Sequence, residues 1–253
     1  MEQSKQCYKK NFLTNVIVRI DFINPIDEIK EKLPNELSRS LMELFPIIEP
    51  KVFPQGTLKI GIKELEPQSF EKRNLNQWRF FNKDRTRMLV FDMDHFTITF
   101  NKYESFDSFS DLFLKSVNCL LSQFTQIQVR RLGLRYINEI NISGKTFNWK
   151  GFINSKLTSF LDFANAQNII SRALSSIDFK FEEYRVKFQF GMHNPDFPST
   201  IKKKHFILDY DAVSESLLNL EDIKELLPKL QAQINILFEE SIGDKLREVL
   251  NGK

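Results

Sequence analysis

Arg130-Arg131-Leu132-Gly133-Leu134-Arg135-Tyr136-Ile137-Asn138 decides how this chain is read. Leu132, Leu134 and Tyr136 alternate with Arg131, Gly133 and Arg135. That period of two belongs to a β-strand with one face buried and the other open. The pattern runs on from Ile127 to Ile140, and no acid interrupts it before Glu139. Gly133 leaves space above the sheet between Arg131 and Arg135, where a ligand or a second backbone can approach. If these arginines instead serve the fold, they should pair with acids of neighbouring strands, such as Asp21 or Asp209.

The same alternation recurs along the chain. Val16, Val18, Ile20 and Phe22 oppose Arg19 and Asp21 in a first strand. Strands are expected at about 56–63, 75–82, 86–92 and 94–100, with turns at Asn82-Lys83-Asp84 and Asp92-Met93-Asp94 making an antiparallel meander. Further strands are expected at about 168–180, 184–192 and 204–211. Helical spacing predicts helices over about 26–44, capped by Asn24 and open to division at Pro34, and over 105–124, begun by Ser105 or Asp107. It also predicts helices over 152–163 and 220–250, the last with bends at Pro228 and Gly243.

The chain therefore divides into halves with a shared order of elements: 1–125 as β-α-β4-α and 126–253 as β-α-β3-α, packed as one compact unit. No residue-level repeat accompanies this order. The expected fold is α+β: a two-layer, curved antiparallel sheet with the long helices on one face and pseudo-duplicated halves. That is the broad manner of TATA-box-binding or helix-grip architectures, which imply no function by themselves.

Composition narrows the classes. The 253 residues are 42% hydrophobic and 27% charged, which excludes a disulfide scaffold, a collagen and a mostly disordered tail. The net charge is only +3, so nucleic-acid binding needs a local basic surface. Two cysteines, Cys7 and Cys119, make no disulfide framework, and Cys119 is expected to be a small buried side chain. A polar, basic start and apolar runs too short to span a bilayer lead to the expectation of a cytoplasmic protein without secretory signal or membrane segment.

Familiar chemistry is absent from the sequence. There is no P-loop, dinucleotide fingerprint, Cys-x-x-Cys pair, His-Glu-x-x-His helix or Gly-x-Ser-x-Gly elbow. No catalytic residue, cofactor or metal site is assigned. Asp92, Asp94 and His95 form the best metal-like group, but acids are common at turns. The alternating strands place Arg131, Arg135, Arg79, Arg185, Lys187 and His95 on the face away from the core. If helices cover the other face, this one is expected to carry many arginines and few acids and to form a basic, ligand-binding concavity. Lys202-Lys203-Lys204 reads as a solvated loop that could meet phosphate.

The Arg-Leu-Gly-Leu-Arg-Tyr-Ile-Asn segment at 131–138 resembles a sporadically distributed bacterial family of roughly this length, whose members have no established function. The resemblance extends to Asn11–Phe22, to Trp78–Phe100 with Tyr103 and Phe109, to Phe206–Asp211, and to the closing stretch from Phe238 to Arg247. Gly243 stands where the resemblance implies a threonine. It brings no catalytic residues, and the family's patchy distribution implies mobile or defence-associated gene neighbourhoods.

The leading expectation is a non-catalytic binding or regulatory protein, of a bacterial defence system on the strength of that resemblance. Its basic sheet face, centred on Arg131 and Arg135, would hold a phosphate-bearing ligand or a partner protein. The alternatives are a nucleic-acid-binding protein, a metal-assisted hydrolase using Asp92, Asp94 and His95, and a homo-oligomer joined through exposed sheet edges.

Overall fold

The computed structural model describes residues 8–57, 71–163 and 167–252. Among these, the elements run β1 (Leu13–Phe22), α1 (Asn35–Leu44), β2 (Ile47–Ile48), β3 (Lys51–Thr57), β4 (Glu71–Phe81), β5 (Arg87–Phe91), β6 (His95–Phe100), α2 (Phe106–Gln123), β7 (Val129–Asn141), α3 (Ser155–Thr158), β8 (Ala173–Lys180), β9 (Arg185–Met192), β10 (His205–Ser214), α4 (Leu220–Ser241) and α5 (Asp244–Leu250). The strands form one large antiparallel sheet in the order β2-β4-β5-β6-β1-β7-β10-β9-β8, with β3 also on β4. Outward from the central β1–β7 pair stand β6, β5 and β4 on one side and β10, β9 and β8 on the other. No helix of the described residues is long and apolar enough to cross a membrane.

Strand β7 is held on both edges. It pairs Val18 with Leu134 and Ile20 with Leu132 on one side, and Tyr210 with Tyr136 and Ala212 with Leu134 on the other. Directly opposed residues point to the same face, so these registers line up one apolar surface across the sheet. Val16, Val18, Ile20, Phe96, Ile98, Leu132, Leu134, Leu208, Tyr210 and Phe188 are all buried there. α2 lays Phe109, Phe113, Val117 and Leu120 into the core, and α4 lays Ile223, Leu227, Leu230 and Ile234. Phe109 meets Phe100 edge-on at 5.0 Å, and Tyr210 stacks on Phe188 at 4.5 Å. Two hydroxyls drawn into this layer are paired, while the Trp149 indole N–H is buried there without a partner among the described residues. The Tyr136 and Tyr103 hydroxyls lie 3.0 Å apart, and Tyr210 donates to Ser241 Oγ at 2.8 Å. Ser241 in turn donates to the Leu237 carbonyl at 2.6 Å.

Several expected boundaries move, each for a local reason. The helix expected over 26–44 is a short 3-10 turn at Asp27–Ile29 followed by α1. Pro34 has no N–H to continue a helix, so it takes the N-cap of α1, and its carbonyl accepts the Ser38 N–H at 2.9 Å. Asn24 caps nothing. Ser105 does cap α2, accepting the Ser108 N–H at 3.2 Å. The 152–163 stretch forms only the one-turn α3 and a 3-10 segment at Ser159–Phe163. The strand expected from 168 begins at Ala173, after a 3-10 turn at Gln167–Ile169. β3 lies earlier than the strand expected at 56–63, whose remainder from 58 onward falls outside the described residues, as does Cys7. Cys119 is half-buried rather than buried.

The C-terminal helix continues through Pro228 and is broken at Gly243. There the chain docks on the segment after β7. Gly243 N–H donates to the Phe152 carbonyl at 2.8 Å, and Lys245 N–H donates to the Gly151 carbonyl at 3.0 Å. A Cβ on residue 243 would run into the Gly151 carbonyl oxygen. A threonine is therefore excluded at this position by close backbone approach, not by helix-cap preference.

Two substitutions check this packing. Leu134→Ala should lower stability by about 2–5 kcal/mol in denaturant unfolding, because Leu134 is fully buried between paired strands. Gly243→Ala should cost about 1–3 kcal/mol by forcing the α4–α5 break away from Gly151.

Candidate functional site

The face turned away from the helices is a lattice of paired charges. Arg131 and Arg135 do point opposite to Leu132 and Leu134, as alternation requires. Their guanidinium groups do not meet above Gly133. The Arg131 guanidinium folds over Gly133 and lies where a Cβ would approach it at 3.3–3.4 Å. From there Arg131 Nη1 donates to Asp21 Oδ2 at 3.2 Å, directly across the β1–β7 ladder. Arg135 turns the other way. Its Nε and Nη2 donate to the two carboxylate oxygens of Asp209 on β10 at 2.8 and 2.6 Å, a bidentate pair.

Arg19 on β1 completes the group by donating from Nε to Asp21 Oδ1 at 2.6 Å. Asp21 therefore bridges two arginines from adjacent strands. The geometry is layered. The side chains of Asp21 and Asp209 are only 9% and 7% exposed, whereas those of Arg19 and Arg135 are 43% and 40% exposed. Buried carboxylates form the floor, and guanidinium groups spread over them toward solvent.

The expectation of few acids on this face is overturned. Asp21, Asp209 and Asp211 share it with the arginines, because β10 alternates Asp209 and Asp211 outward while Leu208, Tyr210 and Ala212 point in. Asp211 stands across from Arg135 and Lys187 yet makes no ion pair among the described residues. Burial raises its pKa above the usual carboxylate value, and a further push comes from Asp209. The opposing pull of Arg131, Arg135 and Arg185 does not cancel this.

The remaining sequence candidates are scattered. Arg79 on β4 and Arg185 on β9 are six strand intervals apart, about 29 Å of sheet. Arg79 donates twice to Gln77 Oε1, at 2.8 and 2.6 Å. Arg185 pairs with Glu215 at 2.8 Å in solvent, and Lys187 lies exposed beside it on β9. His95 opens β6, its Nδ1 2.8 Å from Asp92 Oδ1. That same oxygen accepts the backbone N–H groups of Asp94 and His95, each at 3.0 Å. Burial pushes the Asp92 pKa up, but His95 and the two N–H groups hold it below the usual range. The Asp92-x-Asp94-His95 group thus closes a hairpin turn. Among the described residues no three His, Cys, Asp or Glu side chains assemble as metal ligands. Lys202 and Lys203 are exposed, but Lys204 is buried, its Nζ 4.3 Å from the Phe152 ring centroid.

Sequence reasoning singled out Arg131 and Arg135 but omitted Arg19 from the site and undervalued Asp211. The parity of β1 and β10 held that information. Compared with known protein families and with curated proteins, the chain matches none.

The Arg135–Asp209 pair should matter to folding. Arg135→Ala leaves a buried carboxylate without its fork and should cost about 1–3 kcal/mol, below a fully buried pair because the guanidinium is partly solvated. Adding Asp209→Asn should recover part of that loss in a double-mutant cycle. Asp211 predicts a pH effect of definite sign. Its folded pKa lies above the unfolded one, so the folded chain holds an extra proton between the two, and stability falls as pH rises through that window. Asp211→Asn should flatten this fall and raise the melting temperature at neutral pH.

Proposed function

We propose that this is a non-catalytic binding or regulatory protein whose open sheet face holds an acidic ligand, most simply one bearing phosphate. The observation behind this reading is the anchoring of Arg19, Arg131 and Arg135 on buried Asp21 and Asp209, with the arginine heads part-exposed. Each guanidinium has five N–H donors in a fixed fork, and the carboxylates occupy only some of them. Donors held in place by the fold lose little entropy on meeting a ligand, so such a platform suits bidentate recognition of phosphate or carboxylate. The near balance of charge on the face favours a ligand that engages a few oriented donors over a long polyanion attracted by bulk charge.

The mirrored strand order about β1 and β7 supports reading the sheet as two related β-α-β halves, in the manner of TATA-box-binding or helix-grip architectures. On that reading the arginine platform lies at the seam between the halves, a place where binding sites recur.

The test uses a variant that retains charge. Arg131→Lys with Arg135→Lys keeps a cation beside each acid but removes the forks. Nucleoside triphosphates, pyrophosphate and a short single-stranded oligonucleotide serve as probes in calorimetric titration. The wild type should bind a phosphate-bearing small molecule, and the double variant should bind it about tenfold more weakly or worse while melting within a few degrees of wild type. Equal affinity in wild type and variant, or no binding of any probe, would refute the reading. Oligonucleotide binding whose logarithm falls linearly with log salt would favour the nucleic-acid alternative.

A further inference from the structure

Among the described residues large apolar side chains stand exposed in few places, and five of them lie on β8 or on segments near that end of the sheet. Leu174 and Ile177 belong to β8 and are 47% and 38% exposed. Phe163, Ile169 and Phe197 lie on neighbouring segments. Phe160, three residues before Phe163, rests on Phe190 of β9; Ile170 accepts a backbone hydrogen bond from Ile201; and Phe197 lies under Arg172.

β8 is the last strand in the sheet order, and among the described residues nothing pairs with its outer edge. Its ladder with β9 runs without a register shift from Ala173 to Lys180. It contains no proline, so each residue keeps its N–H, and among the described residues no backbone partner takes the outward groups. Natural edge strands are commonly protected by a bulge, a proline, inward charges or a covering loop. This one shows none of the first two and exposes apolar side chains on both faces.

We propose that β8 is a homodimer interface, pairing antiparallel with β8 of a second copy and continuing the sheet across a two-fold axis. A two-fold perpendicular to the sheet keeps each face on its own side, so the axis must pass through a residue of β8 opposed to itself. Centring on Ser176 sets Arg172 against Lys180 of the partner subunit, and centring on Asp178 sets that carboxylate against its own copy. Both oppose like charges. Centring on Phe179 pairs only the last residues of the strand before its turn. Centring on Ser175 pairs only Ala173 to Ile177 within the strand, whereas centring on Ile177 pairs Leu174 to Lys180. It stacks Ile177 on Ile177 of the partner subunit, lays Leu174 under the stem of Lys180 of the partner subunit, and gives Asp178 the hydroxyl of Ser176 of the partner subunit. It also brings Arg172, just before the strand, toward Glu182 of the partner subunit, in the turn after it, twice by symmetry. This self-complementarity of charge selects a second copy as the occupant.

Light scattering after size exclusion reads the mass, and the wild type should elute at twice the 29.9 kDa chain mass at high micromolar concentration. Ile177→Lys places two ammonium groups face to face and should weaken dimerisation by about tenfold or more. Arg172→Glu and Glu182→Arg should each weaken it, and the double swap should restore it. In a Cys7→Ser, Cys119→Ser background, Ile177→Cys should form a covalent dimer under mild oxidation. Arg172, Ile177 and Glu182 are exposed, and unchanged melting temperatures establish that the variants fold. A wild type that stays monomeric at hundreds of micromolar overturns the proposal, as does an Ile177→Lys variant that dimerises like wild type. Failure of the double swap to restore pairing overturns the Ile177-centred register.

Discussion

Strand β7 has one apolar face, one charged face and two occupied edges. A slip of one residue against β1 or β10 would carry Arg131 and Arg135 under the helices and lift Leu132 and Leu134 into water. The register of β7 therefore fixes β1 and β10 beside it, and through them β6 and β9. The helices α2 and α4 then have a single apolar surface on which to lie.

On the other face the same register sets which charges meet. Arg131 faces Asp21 directly, whereas Arg135 reaches diagonally to Asp209, whose direct partner on β7 is Ile137. Gly133 makes the first of these contacts practicable. With no side chain in the way, the Arg131 guanidinium can lie flat over the strand and still reach Asp21. The glycine that seemed to make room for a ligand makes room for the neighbouring arginine. Paired in this way, the arginines have two uses that share one geometry: they neutralise buried carboxylates below, and they present oriented donors above. Asp211 is the member of the group left without a partner at ion-pair distance, and its raised pKa follows from that burial.

The helical layer depends on close backbone approach at its far end. α4 continues through Pro228, and the helix is interrupted where Gly243 lies against Gly151. Ser241, two residues earlier, ties the helix to Tyr210 on β10, so the break and the sheet are held together through a hydroxyl chain in the core. A proline is tolerated within the helix while a missing side chain ends it, because tertiary contact at Gly151 outweighs local propensity.

The sequence by itself determined most of the strands, the faces the central ones bury, and the α+β class with its antiparallel sheet. Those follow from periodicity, which is a local property: Val16 to Phe22 and Leu132 to Tyr136 announce their inward rows without reference to anything distant. It also named Asp21 and Asp209 as acids that could meet the arginines. Only the tertiary structure decided that they do, since a pairing between residues 110 or 74 positions apart depends on strand order and register. The same holds for the scattering of Arg79 and Arg185 to opposite ends of the sheet, for the burial of Lys204 within a basic run, and for the exclusion of a side chain at Gly243. Periodicity tells a residue which way to point; the three-dimensional arrangement alone decides what it finds there.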